Sequence, residues 1–245
     1  MWTEARRSTY ELLSTCPDLV VVRTASAAVD VPVMKVPAAR SARTRDVILC
    51  AAERLYAESG VAAVSNRHVS EASGQGNNAA VAYHFGTKAD LVRAIVVKHS
   101  TRIEDLRSQR LSRATDPHDL RSWLTCLIRP STDYLATLGS PTWFARFNAQ
   151  VLTDPEMRGI AMDVARSQSS LMAVVSGVSD CVREIPVDVR ENRFEMARML
   201  MTYIPARHEL TMAEGRHPSD VDTWDLCGTR LIDALVGMWQ ASVTG

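Results

Sequence analysis

Several signatures that would announce an enzyme or an exported protein are missing from this sequence. It has no Gly-x-Gly-x-x-Gly, no P-loop, no Gly-x-Ser-x-Gly and no Cys-x-x-Cys, which excludes the usual phosphate cradles, nucleophile elbows and paired-cysteine metal sites. No Cys, His and acid stand at a spacing that suggests an activated nucleophile. There is no Asn-x-Ser/Thr acceptor, and no apolar run approaches the ~18 residues of a membrane span. Alternating strand patterns are almost absent, repeats and low-complexity tracts are not seen, and aromatics make up only 6%. What is present is helical periodicity punctuated by Gly and Pro, over a length that allows one or two domains. The expectation is an all-α, non-enzymatic, cytoplasmic protein with no cofactor and no metal.

Net charge is zero, but it is unevenly spread. Residues 40–113 carry 12 Lys and Arg against 7 Asp and Glu, and residues 114–245 carry 12 against 17. A basic segment beside an acidic one fits a chain in which one part meets a polyanion and the other does not. Five widely spaced cysteines, an odd number, read as reduced thiols that mostly fill the core. Residues 1–39 are apolar in part, but Pro17, Asp18, Arg23 and Asp30 interrupt any signal-peptide core. They are expected to form a poorly ordered extension, with Met34 as an alternative start.

From Thr44, a candidate cap, Val47, Ala51 and Leu55 repeat at helical spacing until Gly60. Ser65 is placed to cap a second helix ending at Gly74. A turn through Gln75, Gly76 and Asn77 leads to a third helix over residues 78–84, and Gly86-Thr87 opens a fourth with Leu91, Ile95, His99, Ile103 and Leu106 on one side. Breaks are marked at Pro130, Gly139 to Pro141, Asp154-Pro155, Pro186, Pro205 and Gly215 to Pro218, and further helices are expected near 117–138, 141–152, 155–184, 187–210 and 221–242.

The three short helices of the basic segment suit a helix-turn-helix, in which small residues at Ala72 and Gly74 let the second and third helices cross closely. The third helix exposes Asn77, Asn78, Tyr83 and His84, while Val81 and Phe85 face the core. Asparagine carries a paired donor and acceptor matching the major-groove edge of adenine, so Asn77 and Asn78 suit base reading. A capping or turn role is the competing reading for both. Tyr83, His84, Thr87 and Lys88 suit phosphate contacts at a helix end and a helix start, although Lys88 alone would read as a solvated surface lysine. Arg40, Arg43 and Arg45 form a basic arm, and Arg67 is a further phosphate candidate. The candidate DNA-binding set is Arg43, Arg45, Ser65, Arg67, Gln75, Asn77, Asn78, Tyr83, His84, Thr87 and Lys88.

In the order and spacing of Gly60, Ser65, Ala72 to Gly74, Tyr83-His84-Phe85 and Gly86-Thr87-Lys88 running on to Leu91, residues 44–95 resemble the DNA-binding domain of the TetR family of bacterial repressors. The turn is one residue longer than the family's commonest form. The resemblance implies a DNA-binding head over residues 40–95, a helical ligand-binding and dimerisation domain over residues 96–245, and a homodimer. Such a dimer places two reading helices about one DNA turn (~34 to 36 Å) apart and selects a near-palindromic double-stranded operator.

The acidic half is rich in Met and carries most of the remaining aromatics, which suits either a plain core or a largely apolar effector pocket. Its pocket candidates are His99, Trp143, Phe144, Phe147, Met172 and Tyr203, with an interior hydrogen-bonded role as the alternative for His99. On the last helix Trp224, Leu231 and Leu235 form one stripe, and Gly228, Ile232, Val236 and Trp239 an adjoining one. With the helix near 187–210 these are expected to make the dimer interface, Gly228 and Gly237 allowing close approach. His208-Glu209 lacks a second His, since Met212 stands in its place, and Glu214-x-x-His217 occurs once beside Gly215 and Pro218, so neither argues for metal. The leading reading is a ligand-released repressor. A ligand-independent regulator or activator is the second, and a helical enzyme or interaction protein the third.

Overall fold

The computed structural model describes residues 36–75, 79–113, 116, 118–216 and 223–243, and among them every regular element is a helix. In chain order these are α1 (Val36–Ser59), α2 (Asn66–Ala72), α3 (Ala80–Phe85), α4 (Lys88–Leu111) and α5 (Leu120–Thr137). They continue as α6 (Phe144–Thr153), α7 (Arg158–Arg166), α8 (Ser169–Cys181), α9 (Val187–Ala213) and α10 (Trp224–Gln240).

Local chemistry accounts for most of the boundaries. The Tyr56 carbonyl accepts from the Gly60 amide at 3.0 Å, and Gly60 takes φ +82°, a left-handed turn that stops α1. Ser65 caps α2 by accepting from the His68 amide at 3.2 Å, and His68 Nδ1 accepts in return from the Ser65 amide at 3.4 Å. Histidine thus completes a capping box usually closed by Glu or Gln. The same arrangement opens α4, where the Thr87 hydroxyl accepts from the Asp90 amide at 3.1 Å and Asp90 Oδ2 accepts from the Thr87 amide at 3.0 Å.

Three boundaries depart from the sequence reading. The first helix begins at Val36 rather than after Thr44, so Arg43 and Arg45 ride on a helix and not on an extended arm. An Ala- and Arg-rich stretch propagates helix well, and Pro37 in a first turn gives up an amide that has no helical partner there. The helix expected over 155–184 is two, α7 and α8. The Ser167 amide closes α7 on the Asp163 carbonyl, while Glu104 of α4 reaches across to accept from the Ser170 amide at 2.6 Å. That cap comes from a remote helix, so no nearby residue signals it. Pro130 and Pro205 do not break the chain but lie buried inside α5 and α9.

Two apolar clusters hold the molecule together. The first joins Ile48, Ala52 and Tyr56 of α1, Val69 of α2, Val81 of α3 and Leu91 and Ile95 of α4 to Tyr134, Phe144, Phe147 and Val151 of α5 and α6. Head and body therefore share one core, and α4 runs unbroken through the expected division at residues 95/96. The second unites Leu124 and Ile128 of α5, Val178 of α8, and Leu231, Leu235 and Trp239 of α10. Arg129 ties α5 to α10 through Asp225 Oδ1 at 2.6 Å and Thr229 Oγ1 at 2.7 Å. Arg193 of α9 donates to the Trp239 and Ala241 carbonyls at 3.1 and 2.8 Å, closing the end of α10. Cys126, Cys181 and Cys227 are not disulfide-bonded, and two of them are buried, whereas half-buried Cys50 is disulfide-bonded, against the expectation for all five.

Candidate nucleic-acid interface and the cavity behind it

Helix α2, the turn after it and α3 form the expected helix-turn-helix pair. Gly74 takes φ +67°, and the Gln75 amide donates to the Ser70 carbonyl at 3.0 Å, which closes the end of α2. Val69 and Val81 point into the head's core with no exposed surface. Asn77 and Asn78, the expected base readers, lie outside the described residues, as does Gly76. Helix α3 proper spans Ala80 to Phe85, two residues later at its start than expected.

On the outer face Tyr83 is 84% exposed, with its ring edge-on to His84 at 5.0 Å. It is the freest large side chain of the head. Other candidates carry structural bonds of their own. Arg45 donates to the His84 carbonyl and stacks its guanidinium 4.1 Å above the Phe85 ring, joining α1 to the end of α3. Arg67 is exposed and paired with Glu71 at 2.8 Å, while Arg43 is exposed on α1. The Lys88 ammonium donates to the Val61 and Ala62 carbonyls at 2.9 and 3.4 Å, so it pins the start of α4 to the loop between α1 and α2. The Ser65 and Thr87 hydroxyls serve as caps, and Gln75 Nε2 donates to the Ser73 carbonyl at 3.2 Å. Thr87 also holds the Asp90 carboxyl below the usual carboxylate range, through its hydroxyl first and its amide second.

Behind the head a cavity of about 280 Å³ opens between α4, α5, α6, α7, α8 and α9. Phe144 is the one expected pocket residue that lines it. Phe147 is fully buried against Tyr56, with ring centres 6.1 Å apart, and Trp143 packs on the same core. Met172 and Tyr203 are 40% and 50% exposed on outer helix faces. His99 lies beneath the cavity wall. Its Nε2 is 2.8 Å from Glu53 Oε2 of α1, its Nδ1 is 2.9 Å from the Tyr134 hydroxyl of α5, and its ring stacks on Phe144 at 3.9 Å. A carboxylate only accepts, so Nε2 carries the hydrogen, and the Tyr134 hydroxyl can donate to Nδ1. This network reaches from the head helix α1 to a ring of the cavity wall.

A second buried polar joint fixes α6, the helix that begins at that ring. Glu209 of α9, 1% exposed, accepts from the Ala145 and Arg146 amides at 3.1 and 3.0 Å and from Arg146 Nε at 3.1 Å. Burial pushes its carboxyl up despite those donors. Glu53, Tyr134, Glu209, Arg146 and Arg107 are functional candidates that the sequence reading missed. The available signal was a charged residue standing in an apolar register, as Glu53 does beside Leu49, Ala52 and Tyr56.

The expected dimer residues lie inside the single chain. Trp224, Gly228, Leu231, Ile232, Leu235, Val236 and Trp239 are all buried within the chain, chiefly against α5. A Cβ on Gly228 would come within 2.7 Å of Thr132 Oγ1, so this glycine admits α5 of the same chain. Gly237 has open space around it, and the exposed apolar face belongs to α9, with Met196, Met199, Tyr203 and Ile204. No described helix is long and apolar enough to cross a membrane, and no described group of three His, Cys, Asp or Glu side chains is arranged to hold a metal.

Residues 48–95 match the family model described as bacterial regulatory proteins, tetR family. No curated protein matches the sequence. Among solved structures, the chain is similar to AmtR of Mycobacterium smegmatis, at 18% identity over 85% of this chain and 89% of that one, with a TM-score of 0.49. It is also similar to the TetR-family transcriptional regulator PfmR of Thermus thermophilus, at 20% identity over 82% of this chain and 98% of that one, with a TM-score of 0.45. The matched segment runs from the buried face of α1 through the α2–α3 pair into α4, and it is this head that is similar to the tetR family of bacterial regulatory proteins.

Proposed function

We propose that the protein is a homodimeric repressor that binds a near-palindromic operator and lets go when a small molecule occupies the cavity behind the head. The observation that carries this reading is Phe144, which lines the cavity on one side and stacks on His99 on the other. A ligand that moves this ring disturbs the bond from His99 to Glu53 of α1, and with it the seat of the DNA-reading head. Coupling of ~1 to 3 kcal/mol between ligand and operator is enough for a usable switch.

The DNA face combines Arg43, Arg67, Tyr83 and His84 with the exposed end of α3, while Arg45, Ser65, Thr87 and Lys88 hold that face in shape. Dimerisation uses the exposed apolar side of α9, with Met196, Met199, Tyr203 and Ile204, and the open surface beside Gly237 on α10. Flexible methionines around a tyrosine suit an apolar seam between two copies.

The test begins with fragments of genomic DNA selected by the purified protein. Binding to the recovered sites is then followed by fluorescence anisotropy at increasing concentrations of each compound found to bind the protein. The reading expects a two-fold symmetric site, two chains per site, and weaker binding with ligand. Equal operator affinity with and without every compound that occupies the cavity would refute release by ligand.

A further inference from the structure

The cavity wall is not uniformly apolar. Most of its wall is aliphatic, from Val96 and Ile103 of α4 to Leu171 of α8 and Met201 of α9, yet it includes two guanidiniums, Arg107 and Arg198, and no acidic or lysine side chain. Arg107 is 4% exposed. One of its terminal nitrogens donates to Glu104 Oε2 at 2.8 Å, and its Nε has no hydrogen-bond partner among the described residues. Burial lowers the Arg107 pKa from its ordinary value more strongly than Glu104 raises it. Glu104 compensates that charge incompletely, because its other oxygen is committed to the Ser170 amide at 2.6 Å. A buried arginine with an unmet donor is costly to leave so.

We propose that the cavity takes a small carboxylate with an apolar body, its anionic head on Arg107 and its body along the aliphatic wall. The inference rests on the reading of this cavity as the effector site. Arginine's planar fork accepts a carboxylate through two donors, and Arg107 retains the donors that Glu104 does not use. Arg198 lines the same cavity while its Nε is held by Glu195 at 3.0 Å, which leaves it a secondary contact. Ser100, Ser131 and Thr202 add hydroxyls around the head. A cavity of about 280 Å³ sits at the small end of ligand sites, which favours a compact acid over a long lipid. The larger groove beside Arg110, Arg121 and Asp133 lacks this character, because Arg110 is paired with Asp133 and Arg121 with Asp233.

The experiment titrates the full-length protein by calorimetry with benzoate, cinnamate, hexanoate and octanoate, and with the neutral amide of each. At least one acid is expected to bind about ten- to a hundredfold tighter than its amide, the gain of a charged hydrogen bond. Arg107→Met should remove that preference while Arg198→Met leaves most of it. Urea denaturation checks that each variant is folded; if Arg107→Met is not, Arg107→Lys replaces it and should retain only part of the preference. If no acid of the set outbinds its amide, or if the preference survives in the folded Arg107 variant, the inference is wrong. An acid that binds through Arg107 without weakening operator affinity would leave this inference standing and overturn ligand release instead.

Discussion

Replacing His99 by Phe tests the buried network that links head to cavity. The substitution keeps a flat ring against Phe144 and removes both ring nitrogens. Glu53, with 8% of its side chain exposed, then loses its one hydrogen-bond partner among the described residues, and Tyr134 loses the 2.9 Å contact to Nδ1. Breaking a buried polar pair from one side costs about 3–5 kcal/mol, because the remaining group stays dry and uncompensated. Glu53→Met in turn strips the acceptor from His99 and should cost about 1–3 kcal/mol. When both are changed together, the polar groups that needed one another are gone, and apolar replacement of a whole pair is often close to neutral. The double variant should therefore be more stable than His99→Phe alone and fall well short of the summed losses.

Urea unfolding followed by far-UV circular dichroism, at one protein concentration because a dimer's stability depends on it, measures all four corners of the cycle. Independent sites add within ~0.5 kcal/mol, so a coupling energy above about 1 kcal/mol is the expected signature. Additivity within ~0.5 kcal/mol would refute the account, since it would mean that the 2.8 Å contact carries no shared energy. The functional arm uses the same proteins: His99→Phe should blunt the response of operator affinity to ligand more than it changes ligand affinity.

Three other perturbations bear on separate parts of the molecule. Tyr83→Ala should leave stability within ~0.5 kcal/mol, as an exposed change does, yet weaken operator binding, whereas Lys88→Met should lower both, losing about 1–2 kcal/mol of stability with its bond to the Val61 carbonyl; anisotropy and urea unfolding together separate the two, and loss of stability in Tyr83→Ala would contradict the surface role. Gly177→Ala should destabilise by about 1–3 kcal/mol because its Cβ would sit 2.3 Å from the Trp123 ring, while Gly159→Ala in α7, with open space around it, should gain slightly from helix propensity; equal effects would be inconsistent with this packing. Glu209 has its carboxyl raised in the folded state by burial, so the folded chain binds its proton more tightly than the unfolded chain. Relative to Glu209→Gln, the wild type should gain stability as pH falls from the raised folded value towards the unfolded value of about 4.5 and show a constant difference below it, and a flat difference throughout would refute the shift.

The parts of the molecule legible in the sequence are those governed by near neighbours. Ser65, Thr87, Gly60 and Gly74 act on backbone groups within a few residues of themselves, so the start of α2, the turn after it and the start of α4 follow from composition and spacing. The boundary between α7 and α8 was hidden because its cap is Glu104, 66 residues away. The structural bond of Lys88 was hidden for the same reason: its acceptors are carbonyls 26 and 27 residues back, and a surface lysine after a helix cap carries no mark of such a bond.

The last helix shows the limit most clearly. Two apolar stripes on α10 require burial, and both are buried, but periodicity reports how much surface must leave water and not which partner removes it. In this chain α5, α8 and α9 already take that role, down to the close approach at Gly228. The proposed interface with a second copy uses what the fold leaves uncovered, the α9 face of Met196, Met199, Tyr203 and Ile204 and the open surface beside Gly237 of α10. The same reasoning applies to the cavity: a stripe of Leu91, Ile95, His99 and Ile103 continues at Arg107, and an arginine in such a register implies a buried acceptor. Glu104 supplies part of that acceptor, and the Arg107 Nε is left without a hydrogen-bond partner among the described residues.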